Sequence, residues 1–190
     1  MTQRQLYIGL MSGTSLDGID AVIADCRKQK CIILHQHHQA FPSELEAKLR
    51  ELILAAQEPD LHTRLRLGEE LACCYAKCVA QLLQQSLTTS DPVTKHEVIA
   101  IGNHGQTVFH QPPLSVQLDN GQMLADHTGI VVVNQFRQAD LLTGGEGAPL
   151  VPAFHQKVFS SENENRVVVN IGGIANITCL LYTSPSPRDG

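Results

Sequence analysis

Six residues lying between two apolar runs, Gly13-Thr14-Ser15-Leu16-Asp17-Gly18, bring together two hydroxyls, one carboxylate and backbone amides freed by glycine. Amides in such a turn form a concavity suited to phosphate oxygens. The carboxylate suits magnesium, which takes oxygen ligands and keeps much of its water. The same composition also serves simply to reverse a chain, so residue type alone leaves a phosphate cradle and a plain turn both open. A second polar group, Asn103-His104-Gly105-Gln106-Thr107, follows the apolar run Val98-Ile99-Ala100-Ile101-Gly102. Ligands in open α/β sheets bind at the carboxyl ends of strands, although His104 could only cap its strand. Downstream stand Arg137 and Asp140. A guanidinium offers forked donors to carboxylate or hydroxyl oxygens, or else pairs with the acid three residues away.

Other reactive residues carry less. His35, His37 and His38 include two imidazoles at period-two spacing, a common zinc arrangement, but no carboxylate or cysteine stands beside them at ligand spacing. A solvated strand end is the expectation. The six cysteines contain no CxxC pair, and without a secretory context they are expected to be reduced thiols. Cys74 and Cys78 lie one helical turn apart, but no histidine matches them and they read as a small-residue helix face.

Strands must position these groups. Leu6 to Met11, Ile19 to Cys26 and Cys31 to His38 read as an opening meander. Ser43 followed by Glu46 predicts a capping box for a helix carrying Leu45, Leu49, Leu52 and Ile53, which ends by Pro59. From Leu61 to about Leu87 the apolar residues recur as one long amphipathic helix requires. Further strands are predicted at Val98 to Gly102, Ser115 to Leu118, Ile130 to Asn134 and Val167 to Ile171, with short helices near Met123 to Thr128 and Pro149 to Phe159. The glycines Gly144, Gly145 and Gly147 read as backbone geometry ahead of a helix started by Pro149, with an anion at their amides as a secondary role. The segment Tyr182 to Gly190, with two prolines, two serines and no apolar period, does not read as folded.

Composition agrees with an α/β class. The 190 residues are 43% hydrophobic, carry little aromatic content and no Trp, and bear a formal net charge of −5 without blocks of one sign. No basic stripe stands ready to neutralise a nucleic-acid backbone, and the first apolar run is too short for a signal peptide or a membrane span. A cytoplasmic protein with no nucleic-acid or membrane partner is the expectation.

Read together, the blocks point further. Ile8 to Asp20 (IGLMSGTSLDGID) closely resembles the opening hairpin of anhydro-N-acetylmuramic acid kinases, members of the actin, hexokinase and heat-shock ATPase superfold. Ile101 to Thr107 is similar to that family's IG(S/N)HGQT block. Asn134 to Pro152 resembles its DFR…D…GGxGAPLVP block, with Asn-Gln in place of the usual Ala-Asp, and Val169 to Thr178 resembles its NIGG strand and turn. The resemblance implies a ribonuclease-H-like, actin-like ATPase lobe with a mixed sheet flanked by helices and an incomplete second lobe. It implies ATP with Mg2+ as cofactor, bound at Gly13, Thr14, Ser15, Leu16, Asp17, Gly18, Ile19 and Asp20. Sugar contacts are implied at His104, Gln106, Thr107, Arg137 and Asp140, and a homodimer for the full-length relatives.

The implied reaction hydrolyses the 1,6-anhydro bond of anhydro-N-acetylmuramic acid and phosphorylates O6, a step of cell-wall recycling. The family's catalytic aspartate sits in a Gly-Phe-Asp-x-Gly-Pro block just after the NIGG strand, and this sequence contains no such block. The expectation is therefore a kinase lobe over residues 1–178, a non-family tail over 179–190, no catalytic residue among those present, and no turnover by this chain alone. A non-catalytic nucleotide- or sugar-binding module is the alternative.

Overall fold

The computed structural model describes residues 4–27, 30–171 and 175–181. It divides into two compact units, Met1–Gly147 and Ala148–Gly190.

Unit 1 is built on a mixed sheet of β1 (Leu6–Ser12), β2 (Ile19–Arg27), β3 (Lys30–Gln39), β4 (Val98–Gln111), β5 (Leu114–Leu118) and the short β6 (Val132–Val133). The strand path is β3-β2-β1-β4-β5, with β6 pairing β4. β1, β2 and β3 are antiparallel neighbours, as the predicted meander requires, whereas β1 and β4 run parallel. That parallel pair needs a long crossover, supplied by helices α1 (Ser43–Ala55) and α2 (Leu61–Ser86).

Leu6, Ile8 and Leu10 of β1 and Ile19, Ala21 and Ile23 of β2 alternate onto one buried face. Leu67, Leu71, Tyr75, Cys78 and Leu82 form the stripe of α2 that joins the same core. Burying each large apolar side chain is worth roughly 1.5–3 kcal/mol relative to exposure, so this layer dominates the stability of the unit. Asp60 caps α2 by accepting from the Thr63 N–H at 2.9 Å.

Local expectations are corrected at several points. No capping box forms at Ser43: Pro42 is the N-cap, no side chain caps the helix, and Glu46 instead accepts from Arg50 at 2.6 Å. The capping box lies at Thr94 and Glu97, on a 3-10 turn over Lys95–Glu97. β4 does not stop at Gly102 but continues to Gln111 and pairs with β5. The reason is a bulge, since the β1–β4 register slips between Leu10 and Ser12 and Gly105 takes a left-handed φ of 70°. A helix for which the sequence predicts no element, α4 (Phe136–Leu142), follows α3 (Gly121–Thr128), which covers the helix predicted near Met123 to Thr128. Cys26 and Cys31 are cross-strand register partners with Cα atoms 4.2 Å apart, and they form a disulfide rather than two free thiols.

Unit 2 contains α5 (Pro152–Phe159) and the antiparallel hairpin of β7 (Arg166–Ile171) and β8 (Ala175–Leu180). Its helix starts at Pro152, three residues after the proline expected to open it. The His155 ring and the Thr178 hydroxyl join α5 to β8 at 3.0 Å. Gly172 and Gly173 of the expected glycine turn, and the segment Tyr182 to Gly190, lie outside the described residues.

Candidate functional site

The β1–β2 turn is fastened from three sides. Leu16 adopts a left-handed φ of 61°, a conformation that costs a non-glycine residue roughly 1–2 kcal/mol. Its side chain, 3% exposed, is anchored in the core and holds it there. The Leu16 N–H closes the turn onto the Gly13 carbonyl at 3.1 Å. That carbonyl also accepts from Nε2 of Gln106 at 3.1 Å. At the end of β1, the Ser12 hydroxyl meets the Tyr75 hydroxyl at 2.8 Å, both groups buried. Burial pushes the Tyr75 phenol far above its ordinary value, so it stays neutral.

This bracing leaves Thr14, Ser15 and Asp17 exposed at the turn, while Leu16 and Ile19 turn their side chains inward. The Asp17 carboxyl is held below its usual range, chiefly by its hydrogen bond with the Ser15 hydroxyl. Gly18 must be glycine, since a Cβ would meet the Gln39 carbonyl at 2.6 Å and its φ is +151°. Asp20 is exposed and accepts from the His38 ring at 2.9 Å. The other two histidines of β3 are also occupied, His35 with the Asp91 carbonyl at 2.8 Å and His37 with the Gln81 amide oxygen at 2.9 Å. Among the described residues no group of three or more His, Cys, Asp or Glu side chains gathers as a metal cage.

The β4 bulge carries the second polar block to the same end of the sheet. Asn103 and Gln106 are fully buried, and Asn103 Nδ2 and Gln106 Oε1 have no hydrogen-bond partner among the described residues. A buried polar atom without a partner costs roughly 1–3 kcal/mol, and neither atom is open to solvent. The His104 Nδ1–H donates to the Gly105 carbonyl at 2.9 Å. Desolvation lowers the His104 pKa, so the ring favours its neutral form. The Thr107 hydroxyl receives the Gln117 amide at 3.4 Å.

Arg137 and Asp140 do not pair with each other. Both grip Gly147, the guanidinium donating from Nη1 to its carbonyl at 2.7 Å and the carboxylate accepting from its N–H at 2.7 Å. The glycines at 144 and 147 take φ values of +90° and +72°, as a loop folded back onto α4 requires. Arg137 Nε is buried and has no partner among the described residues.

Three participants were not legible as site residues. Asp119 accepts from the amides of Asn134 at 2.7 Å and Gln135 at 2.8 Å, and burial raises its pKa. The Asp119-Asn120-Gly121 run reads only as a turn before a helix, and nothing local links it to residues fifteen positions later.

An antiparallel meander with a fourth strand running parallel to its first, helices crossing between them and a braced glycine turn at the shared end define the class: a ribonuclease-H-like α/β lobe. The chain belongs to the anhydro-N-acetylmuramic acid kinase family, whose sequence model matches residues 5–187. It is 46% identical over 188 residues to the anhydro-N-acetylmuramic acid kinase of Nitrosospira multiformis, covering 97% of this chain and 48% of that protein. The enzyme of the same name from Shewanella amazonensis is 43% identical over 181 residues, covering 93% and 47%. The chain thus spans about half the length of the curated relatives it matches. Among solved structures, the inorganic polyphosphate/ATP-glucomannokinase of Arthrobacter sp. strain KM is a loose likeness, with a TM-score of 0.37 and 12% identity over 94% of this chain and 58% of that one.

Proposed function

We propose that this chain forms the nucleotide turn and part of the sugar-contacting surface of an ATP-dependent kinase acting on 1,6-anhydro-N-acetylmuramic acid. The observation that carries the reading is the 3.1 Å bond between Gln106 Nε2 and the Gly13 carbonyl. It ties the block assigned to sugar to the turn assigned to phosphate, and phosphoryl transfer depends on holding those two partners in register.

On this reading the exposed hydroxyls of Thr14 and Ser15 and the backbone amides of the turn receive the nucleotide phosphates. Asp17, an exposed carboxylate held below its usual range chiefly by the Ser15 hydroxyl, is the residue suited to Mg2+, which neutralises phosphate charge when bound. Because magnesium retains water and binds phosphate oxygens directly, one protein carboxylate is a sufficient anchor. Thr107 and Arg137 supply donors and acceptors to sugar oxygens, neutral His104 completes that surface, and buried Gln106 braces it from within. In the reaction, a water oxygen bonds C1 as the C1–O6 bond breaks. O6 takes the γ-phosphoryl group, the bond to ADP breaks, and a base accepts the water's proton.

None of the carboxylates around these blocks is assigned as that base. Asp20 is engaged by His38, Asp140 by the Gly147 N–H and Asp119 by two amides. The chain by itself is therefore read as binding without turnover.

The test measures transfer from radiolabelled ATP to 1,6-anhydro-N-acetylmuramic acid, for this chain and for the chain extended by the C-terminal half of a relative. Activity only in the extended form is expected. Turnover by the 190 residues alone would overturn the assignment of no base, and failure of both forms to bind the sugar would overturn the substrate.

A further inference from the structure

Gln135 holds an unusual conformation for its residue type. With φ 58° and ψ 36° it sits in the left-handed region immediately before α4, a state that persists in a non-glycine residue only where its surroundings over-determine it. The Gln135 side chain is held by Asp119. One carboxylate oxygen takes the Gln135 amide at 2.8 Å and the other takes the Asn134 amide at 2.7 Å, both within the range of charge-assisted hydrogen bonds. The β5–α3 connection is shaped to admit this contact, because a Cβ on Gly121 would stand 2.5 Å from Asn134 Nδ2. Two residues beyond the bend lies Arg137, its Nη1 committed to the Gly147 carbonyl and its Nε buried with no partner among the described residues.

We infer that Asp119 is a positioning residue: by fixing the left-handed bend at Asn134–Gln135 it sets the start of α4 and so holds the Arg137 guanidinium, anchored on the Gly147 carbonyl, where its half-exposed end meets the bound sugar. That Arg137 receives the sugar rests on the function proposed above, whereas the hold of Asp119 on the bend does not. The arrangement follows from donor and acceptor counts. Two amide NH2 groups converge on one site, and only a carboxylate offers an acceptor to each without presenting a donor. An asparagine at 119 satisfies one and confronts the other with its own N–H.

The experiment uses the full chain with Asp119→Asn, Asp119→Ala and the double variant Asp119→Ala/Gln135→Gly. Amide hydrogen exchange at residues 134–137 and the 15N NMR signal of Arg137 Nε–H are read without ligand. Affinities for 1,6-anhydro-N-acetylmuramic acid and for ATP are read by calorimetry. Asp119→Ala is expected to speed exchange at 134–137 at least tenfold, broaden the Nε–H signal, and weaken the sugar about tenfold with ATP affinity unchanged. Asp119→Asn gives an intermediate effect and carries the test if the alanine variant does not fold. Glycine at 135 adopts the bend without strain, so the double variant recovers part of the loss, which a general loss of stability would not permit.

Unchanged exchange and Nε–H signal in both single variants overturn the inference. Altered exchange with unchanged sugar affinity overturns the link from Asp119 to ligand binding. If the unsubstituted chain binds no sugar at all, the proposed substrate fails, and the exchange and Nε–H readouts still decide whether Asp119 positions Arg137.

Discussion

The side-chain amide of Gln106 and the main-chain carbonyl of Gly13, 93 residues apart in sequence, meet at 3.1 Å. The same carbonyl closes the turn by accepting from Leu16 N–H, so one oxygen anchors both the turn and its link to β4. Gln106→Ala removes the amide from a fully buried position. It is expected to destabilise unit 1 by roughly 1–3 kcal/mol and to weaken ATP about tenfold through the loosened turn. Urea unfolding and nucleotide titration check the two effects separately, and a variant with full ATP affinity would mean that the turn holds its shape without this bond.

Gly68 makes a second prediction, with a sign opposite to the usual rule. Replacing a helix-interior glycine with alanine ordinarily gains about 1 kcal/mol. At this position in α2 a Cβ would stand 2.7 Å from the Asp119 carbonyl oxygen, a main-chain atom that cannot swing away. Gly68→Ala is therefore expected to lower stability by about 1–3 kcal/mol, as overpacking does. A drop of several degrees in the thermal midpoint is the expected readout, and a rise would mean that the loop at Asp119 yields easily.

The sequence carried the framework because its signals were local. The meander, α1, α2 and the first five residues of β4 follow from apolar runs of five residues or more, and the motif blocks bring their own order. What escaped depends on contacts between distant segments. β4 runs through its polar block because Gly105 forms a bulge, and a glycine inside a polar run reads equally well as a strand end. α4 is only seven residues long and begins at a left-handed glutamine, so periodicity has nothing to grip. The choice between an Arg137–Asp140 pair and a ligand role for Arg137 was open for the same reason. The groups three residues apart point instead to the two ends of one peptide unit's residue, Gly147.

A pH effect follows from His104. Burial depresses its pKa, the Arg137 charge adds to the depression, and the Gly105 carbonyl opposes it. In the unfolded chain the ring takes its proton near pH 6.5, whereas the folded protein resists until the pH falls further. The contribution of the neutral ring is thus fully present above about pH 6.5 and is lost as the pH falls through the depressed folded value. The stability difference between the unsubstituted chain and His104→Gln is expected to be constant from pH 7 to 8 and to shrink on acidification below 6.5. Chemical unfolding across that range measures it, and a difference that grows toward acid would reverse the assignment of a neutral ring.

Arg137→Lys separates binding from scaffolding. Arginine can serve the Gly147 carbonyl from Nη1 and still offer a further donor elsewhere, because its donors point along a rigid fork. Lysine has one ammonium group, which can satisfy the carbonyl or the ligand but reaches both poorly. Stability is expected to stay within about 1 kcal/mol of the unsubstituted chain, since one charge-assisted bond to Gly147 survives. Sugar affinity is expected to fall about tenfold and ATP affinity to stay level, as read by calorimetry. Asp140→Asn supplies the contrast: an amide oxygen still accepts the Gly147 N–H, so the loop stays in place and sugar affinity changes less than threefold. Equal losses in the two variants would mean that both residues act only by holding Gly147, and that the Arg137 guanidinium makes no contact with the sugar.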